Sequence, residues 1–340
     1  MYPFKFKPIY KEKIWGGRNI GRKFARELPA GSIGESWEIS CHGDDISEVA
    51  NGSYAGLSLK ELISRHREEI LGPELGQASK SGARLNSNSV PDLGNFFPLL
   101  VKIIDARDNL SVQVHPDDAY AAENEARASG KTELWYILNA EPGARIIYGL
   151  KAEVGQEEFR EAVGASRIQE TLNEVRVQTG DYFYIPAGTV HAIGEGVMLA
   201  EIQQNSDLTY RVYDWDRTDA DGNSRELHIE KAFEAIDFSK GFSAGETGGK
   251  EVLVANQDFK LSELISTNFF DVNLLEVYKR HQADTEGKRF YIYLNLGSQV
   301  TLNYAGGSMK VASGETVLIP AALGSYELVG QSRLLKAFVR

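Results

Sequence analysis

The run Leu110-Ser111-Val112-Gln113-Val114-His115 alternates apolar and polar side chains. A strand with that period turns Leu110, Val112 and Val114 to one face and Ser111, Gln113 and His115 to the other. A buried face of Ser, Gln and His is costly unless something binds to it; the plain alternative is an ordinary strand with its polar face in water. Glu133 lies downstream in Lys131-Thr132-Glu133, and Lys131 shares its face if a strand begins there. His191 closes Gly180-x5-Pro186-x-Gly188-x2-His191, just after a tight turn between two apolar runs. A single histidine is more often structural than a ligand. Two histidines and a carboxylate on three separate strands make a more specific set. It suits Zn2+ with an open coordination position, and equally Fe2+ in a two-His-one-carboxylate arrangement. Gln113 offers a neutral oxygen as a further ligand.

A second polar stretch runs from Glu201 through Gln203, Gln204, Asn205 and Asp207 to Arg211, between the apolar Val197-Met198-Leu199-Ala200 and Val212-Tyr213. It reads either as a solvated loop with a surface arginine or as a loop that lays Glu201 and Arg211 over a pocket. The other histidines read as structural. His66 falls on the apolar face of a helix and is a core residue; His42 belongs to a turn, His228 to a helix-like run and His281 to a polar stretch.

The elements that must position these groups are mostly strands. Short β-branched and aromatic runs bounded by Pro, Gly or Asp occur at Leu99 to Ile104, Leu110 to His115, Glu133 to Leu138, Ile146 to Tyr148, Tyr182 to Ile185, Phe290 to Leu294 and Thr316 to Ile319. Their spacing predicts an antiparallel barrel or sandwich. Ser58 with Glu61 forms a capping box ahead of Leu59, Leu62, Ile63, His66 and Ile70 at helical spacing. Further helices are expected over Asp117 to Ser129, ending at Gly130, and over Glu157 to Val163 and Glu226 to Ile236. Gln77 to Pro91 reads as a long exposed loop and Lys240 to Lys250 as a linker between two domains.

An internal repeat supports two domains. Gly180-Asp181 leading to Ile185-Pro186-Ala187 matches Gly314-Glu315 leading to Ile319-Pro320-Ala321, and Gly130-Lys131 leading to Trp135-Tyr136 matches Gly287-Lys288 leading to Tyr291-Ile292. His191 stands where the second copy has Gly324-Ser325, so only the first copy can hold a metal there. The chain is acidic, with 37 Lys+Arg against 48 Asp+Glu and a net charge of −11, which argues against general nucleic-acid binding. Its one cysteine, Cys41, rules out an internal disulfide or a multi-cysteine zinc cluster. No run has the length of a membrane span, and Met1-Tyr2-Pro3-Phe4-Lys5 lacks the apolar block of a secretory signal. A cytoplasmic protein is expected.

Six motifs in order resemble type I mannose-6-phosphate isomerase, in particular its short bacterial form. They are Ile14-Trp15-Gly16-Gly17; Gly34-Glu35-Ser36-Trp37-Glu38-Ile39-Ser40; Pro98-Leu99-Leu100-Val101-Lys102; Leu110 to Asp118 with Gly130-Lys131-Thr132-Glu133; the cupin motif Gly180 to His191; and Glu201 to Arg211. The resemblance implies a mainly β fold of two cupin (jelly-roll) barrels with a few peripheral helices. Residues 1–240 would form the catalytic barrel with helical insertions, and residues 250–340 a metal-free cupin-like barrel. It implies one Zn2+ per chain, held by His115, Glu133 and His191 with Gln113 as a fourth ligand in many members. Ser111, Lys102 and Trp15 would lie around the substrate, and Arg211, Lys131 and Glu201 would serve catalysis. The large helical insertion of longer relatives is missing, and Lys131-Thr132-Glu133 stands where some members have Lys-Pro-Glu.

The implied reaction interconverts mannose 6-phosphate and fructose 6-phosphate through a cis-enediol. A base must carry a proton between C1 and C2, and the enediolate charge must be stabilised. Glu201 and Lys131 are the candidate bases, and Arg211 a candidate charge stabiliser. Ser111, Lys102 and Arg211 would supply donors to the phosphate, a local cationic cluster working against the acidic whole. The partner is thus a small sugar phosphate, with no nucleic acid or membrane, and the chain is expected as a monomer or weak homodimer. An Fe2+ cupin oxygenase at the same triad and a non-catalytic sugar-phosphate-binding cupin are the alternative readings.

Overall fold

The computed structural model describes residues 1–77, 96–125, 129–218, 222–239 and 250–340. The loop expected over Gln77–Pro91 and the linker over Lys240–Lys250 fall outside the described residues, apart from Gln77 and Lys250 themselves. The chain is mainly β with a few helices. It divides into two compact units, one of Tyr10–Ser36 with Lys102–Thr247, the other of Met1–Ile9, Trp37–Val101 and Gly248–Arg340. This differs from a division into 1–240 and 250–340, because residues 1–9 and 37–101 go with the C-terminal part. Two features tie them there. The strand Phe4–Lys5 pairs with Thr316–Ile319, and the helix Leu59–Leu71 packs on the short turn Ala321–Leu323. Neither partner is near in sequence.

Two sheets build the first unit, the larger taking in Ile9, Trp37–Ile39 and Leu99–Val101 from the other unit's stretches of chain. One has five strands in the order Leu172–Arg176, Arg145–Leu150, His191–Ile193, Val112–Val114, Tyr210–Tyr213. The other has six, in the order Tyr182–Ile185, Glu133–Ala140, Val197–Gln204, Leu99–Asp105, Ile33–Ile39, Ile9–Gly17. Trp135, Ile137, Phe183, Ile185 and Leu199 of the larger sheet form one apolar cluster with Ile146, Tyr148 and Ile193 of the smaller, so the two sheets face each other. The outer face of the five-stranded sheet, with Val112, Val114, Ile147, Ala192 and Val212, is covered by Phe159 of the helix Gln156–Gly164 and Phe233 of the helix Ile229–Ala235.

The second unit repeats this plan. The order Tyr182–Ile185, Glu133–Ala140, Val197–Gln204 of the first unit recurs as Thr316–Ile319, Tyr291–Asn295, Ser332–Phe338, and the smaller sheets correspond in the same way. The repeat read from Gly180 and Gly314 is therefore a repeat of the fold. Among the described residues each unit is a pair of separately bonded sheets, a sandwich rather than a closed barrel.

The helix Leu59–Leu71 starts where the capping box puts it: Glu61 N–H donates to Ser58 Oγ at 3.2 Å, and Ser58 N–H to Glu61 Oε2 at 2.9 Å. Leu59, Leu62, Ile63 and Ile70 are buried, but His66 is not the core residue its position suggested. The helix kinks there, with φ −138° and ψ 39°, and leaves the ring half-buried, edge-on to Tyr54. The acidic helix covers Asp118–Asn124, shorter than expected: it is capped by Asp117 and closed at Glu125. No helix among the described residues is long and apolar enough to cross a membrane.

Gly72 ends the first helix at φ +89°, and a Cβ there would lie 1.9 Å from the Lys288 carbonyl oxygen. Gly43 also has a positive φ, +54°, but a Cβ would meet nothing within 4 Å. Gly72→Ala is therefore expected to cost about 2–3 kcal/mol of stability, against about 1 kcal/mol for Gly43→Ala, in matched denaturant titrations. Equal losses would mean that only the backbone angle matters at Gly72.

Candidate active site

Ladder register decides which side chains meet, because residues directly opposed in antiparallel strands share a face. In the five-stranded sheet Arg211 stands opposite Gln113, Gln113 opposite His191, and His191 opposite Tyr148. Tyr148 belongs to the apolar cluster between the sheets, so this row points inward. In the six-stranded sheet one row runs Ile185, Glu133, Gln203 and the next runs Phe183, Trp135, Glu201. Ile185, Phe183 and Trp135 lie in the same cluster, so these rows also point inward. One sheet thus brings imidazoles, and the other brings carboxylates, to a common interior. The stretch from Glu201 to Arg211 is not one loop over a pocket: its two ends are strands in opposite sheets, joined by residues 205–209.

His115, Glu133 and His191 converge there, all buried, with their ligand atoms within 4.8 Å of one another. His115 Nε2 is 3.7 Å from Glu133 Oε2, and His191 Nε2 is 3.5 Å from Glu133 Oε1. Each ring is fixed from behind. His115 Nδ1 bonds to the Leu208 carbonyl at 2.8 Å and His191 Nδ1 to the Thr189 carbonyl at 2.9 Å. Those carbonyls require N–H at Nδ1, which leaves the Nε2 lone pairs facing the carboxylate. Burial, together with the positive charge of Lys131, lowers the pKa of His191 to about 3 and that of His115 well below its ordinary value. Both imidazoles are therefore neutral.

Glu133 Oε1 has no hydrogen-bond partner although its residue is fully buried. Glu133 Oε1 and His191 Nε2, 3.5 Å apart, share no cation, and His115 Nε2 brings a third ligand atom to the same place; a divalent metal answers all three. Gln113 reaches the same place, its amide 3.4 Å from His191 Nε2. Turning that amide over presents its oxygen to the same point.

Lys131 supplies positive charge to the cluster. Its ammonium bonds to Glu133 Oε2, lies 3.0 Å from His115 Nε2 and stands 3.8 Å from Glu201 Oε1. Glu201 Oε1 also takes Lys102 Nζ at 3.1 Å, and Glu201 Oε2 accepts from Trp135 Nε1 at 3.1 Å. The two carboxylates separate in character. Burial, reinforced by the Glu201 charge, raises Glu133 to about 7. Burial also pushes Glu201 upward, but Lys131 and Lys102 outweigh it and hold the pKa at about 2. Burial pulls Lys102 down, yet Glu201, Glu35 and Glu133 together leave it raised.

Ser111 is buried beside this strand, but Leu110 does not share a face with Val112 and Val114: the strand begins only at Val112, and Leu110 packs between the sheets while the two valines pack outside. Trp15 is 4 % exposed, lies in the apolar cluster and closes over Gly34, so its place is core packing rather than the substrate's surroundings. Lys102 is buried and ion-paired with Glu201. Arg211 is half-buried, its Nη1 donates to the Glu226 carbonyl at 2.8 Å, and its Nε is buried without a partner. His281 is the buried residue of the mostly polar strand Arg280–Asp284, edge-on to Phe259, and His42 is half-buried near Trp37. Gln203 and Trp135 escaped the sequence reading. Gln203 shares Glu133's row, two residues after Glu201, and period 2 alone would have found it.

The sequence profile of the phosphomannose isomerase type I catalytic domain matches residues 3–136. A mannose-6-phosphate isomerase of Streptococcus mutans is 36% identical over 324 residues, covering 95% of this chain and 94% of that protein. A mannose-6-phosphate isomerase of Bacillus subtilis is 36% identical over 337 residues, 98% of each. The crystal structure of the mannose 6-phosphate isomerase from Bacillus subtilis matches with a TM-score of 0.84 at 33% identity, over 99% of both chains.

Removing one partner of a buried ion pair strands the other, which typically costs about 3–5 kcal/mol. Lys102→Met is expected to lose that much in denaturant unfolding. Adding Glu201→Gln to it should cost less than the two single changes summed. Additive losses would show that Lys102 and Glu201 are not energetically coupled.

Proposed function

This chain belongs to the type I phosphomannose isomerase family, and from that premise we propose that it interconverts mannose 6-phosphate and fructose 6-phosphate through a cis-enediol with zinc at His115, Glu133 and His191. The observation that carries the reading is the convergence of buried His115, Glu133 and His191 ligand atoms within 4.8 Å of one another, with Glu133 Oε1 partnerless 3.5 Å from His191 Nε2. Gln113 is a fourth ligand in this reading. The two sandwiches are a cupin pair, and only the first holds metal. In the second, Tyr291 stands opposite Ile319 as Glu133 stands opposite Ile185, and Ser325 replaces His191.

Zinc there supplies a Lewis acid for the oxygens on C1 and C2. The remaining work falls to side chains. Glu201, held at about 2, is ionised at neutral pH and is a weak proton acceptor. Its part is to hold Lys102 and Lys131 in an interior that would otherwise expel them. Lys131 Nζ, touching both His115 and Glu133, is then the candidate to carry the proton between C1 and C2, a role it could fill only as the neutral amine, after its own extra proton has left. Arg211, with its unpartnered Nε, faces the charge that grows on the enediolate. Ser111 and Lys102 are donors for the phosphate, Lys102 from an ammonium it shares with Glu201.

Metal analysis of the purified chain should find about one zinc per chain. His191→Ala should lose both metal and turnover, and chelation of the wild type should abolish fructose 6-phosphate formation until zinc is restored. Iron in place of zinc, or full metal content in His191→Ala, would overturn the assignment.

Arg211→Ala should keep its zinc and its melting temperature but lose kcat by about a hundredfold or more. An unchanged kcat with a raised KM would make Arg211 a phosphate clamp instead.

A further inference from the structure

Arg211 occupies an edge strand: Tyr210–Tyr213 has one neighbour, Val112–Val114, in its sheet. An edge leaves half of a strand's backbone groups open and its side chains loosely aimed. At Arg211 the open side is closed by a short stretch of irregular chain. Arg211 N–H donates to His228 Nδ1 at 3.2 Å, and His228 N–H donates back to the Arg211 carbonyl at 2.8 Å. The guanidinium Nη1 donates to the Glu226 carbonyl at 2.8 Å. Residues 226–228 therefore hold Arg211 by its backbone and by one arm, leaving Nε buried without a partner.

Glu226 and Leu227 are themselves exposed and belong to no helix or strand. What anchors them is Arg225. Its Nε donates to Asp214 Oδ2 at 2.6 Å and its Nη2 to Asp214 Oδ1, a two-pronged, charge-assisted pair. Asp214 directly follows the Arg211 strand and is 6 % exposed. Arg217 grips the same carboxylate through Nη2 at 2.6 Å and reaches the Asn109 carbonyl with Nη1. The chain thus leaves the strand at Asp214, loops out and is tied back to Asp214 by Arg225 just before it clasps Arg211. The charges agree with this geometry: burial, with Arg225 and Arg217 nearby, lowers the Arg211 pKa, and Asp214 works against them.

We propose that Asp214 and Arg225 are positioning residues for Arg211, forming a clasp that aims its guanidinium into the site through the Glu226 carbonyl and His228. The proposal rests on the reading that Arg211 acts on the substrate. The test is a double-mutant cycle in the zinc-loaded enzyme, with Arg225→Met, Arg211→Ala and both. Arg225→Met should keep its zinc and lower kcat about tenfold or more, yet cause no further loss once Arg211 is already Ala. Arg225→Lys, which keeps one bond to Asp214, should recover part of the rate. A merely structural role would instead lower melting temperature and rate to the same extent with or without Arg211. Full activity in Arg225→Met while Arg211→Ala is impaired, or losses that add in the double mutant, overturns the clasp. Full activity in Arg211→Ala overturns the reading beneath it, and the clasp with it. If Arg225→Met does not fold, Arg225→Lys is carried through the same cycle with the same outcomes.

Discussion

Two carboxylates, two ammonium groups and two imidazoles share one buried interior. Each charge there would be costly alone. Glu201 is tolerable because Lys102, Lys131 and the Trp135 indole surround it. Glu133 is only half answered, by Lys131 on one oxygen. That imbalance sets the chemistry of the site. It keeps one carboxylate firmly ionised and leaves the other with one oxygen unanswered, beside imidazoles whose pKa values burial lowers.

The second unit shows how the same frame behaves without this cluster. Lys336 stands opposite Tyr293 where Glu201 stands opposite Trp135. Its ammonium lies 3.8 Å over the Tyr291 ring, in the register position of Glu133, and burial lowers its pKa to about 8. An aromatic face there does for one cation what carboxylates do in the first unit. One strand plan therefore accommodates opposite charge patterns, and the difference lies in a few inward-facing positions.

Much of this was legible in the chain. Period 2 set the inward face of Gln113 and His115, the repeat announced the duplicated strand order, and Ser58 with Glu61 fixed a helix start. Local rules reached that far because each depends on neighbours in sequence. They failed where distant pairing decides. Helical periodicity ran on to Glu226, but residues 226–228 spend their backbone groups on Arg211, so the helix starts at Ile229. Lys102 read as a phosphate donor with no ion-pair partner because Glu201 lies 99 residues away. Trp15 read as a substrate contact for want of any sign that Gly34 makes room for its ring. The grouping of residues 1–9 and 37–101 with the C-terminal part was hidden for the same reason.

That grouping bears on how the chain is made. Every strand of the two sheets that carry the metal cluster lies before residue 214, whereas Phe4–Lys5 finds its partner only in Thr316–Ile319. During synthesis the cluster-bearing sheets can close while the last residues are still being added. The pieces at 1–9 and 37–101, apart from Trp37–Ile39 and Leu99–Val101 in the six-stranded sheet, must wait for the stretch from residue 248 onward, a delay of roughly 5–20 s at ordinary translation rates. During that interval their apolar faces are open to chaperones and to other nascent chains. The half that does the chemistry is ready first, and the half without metal governs how soon the finished molecule leaves the ribosome safely folded.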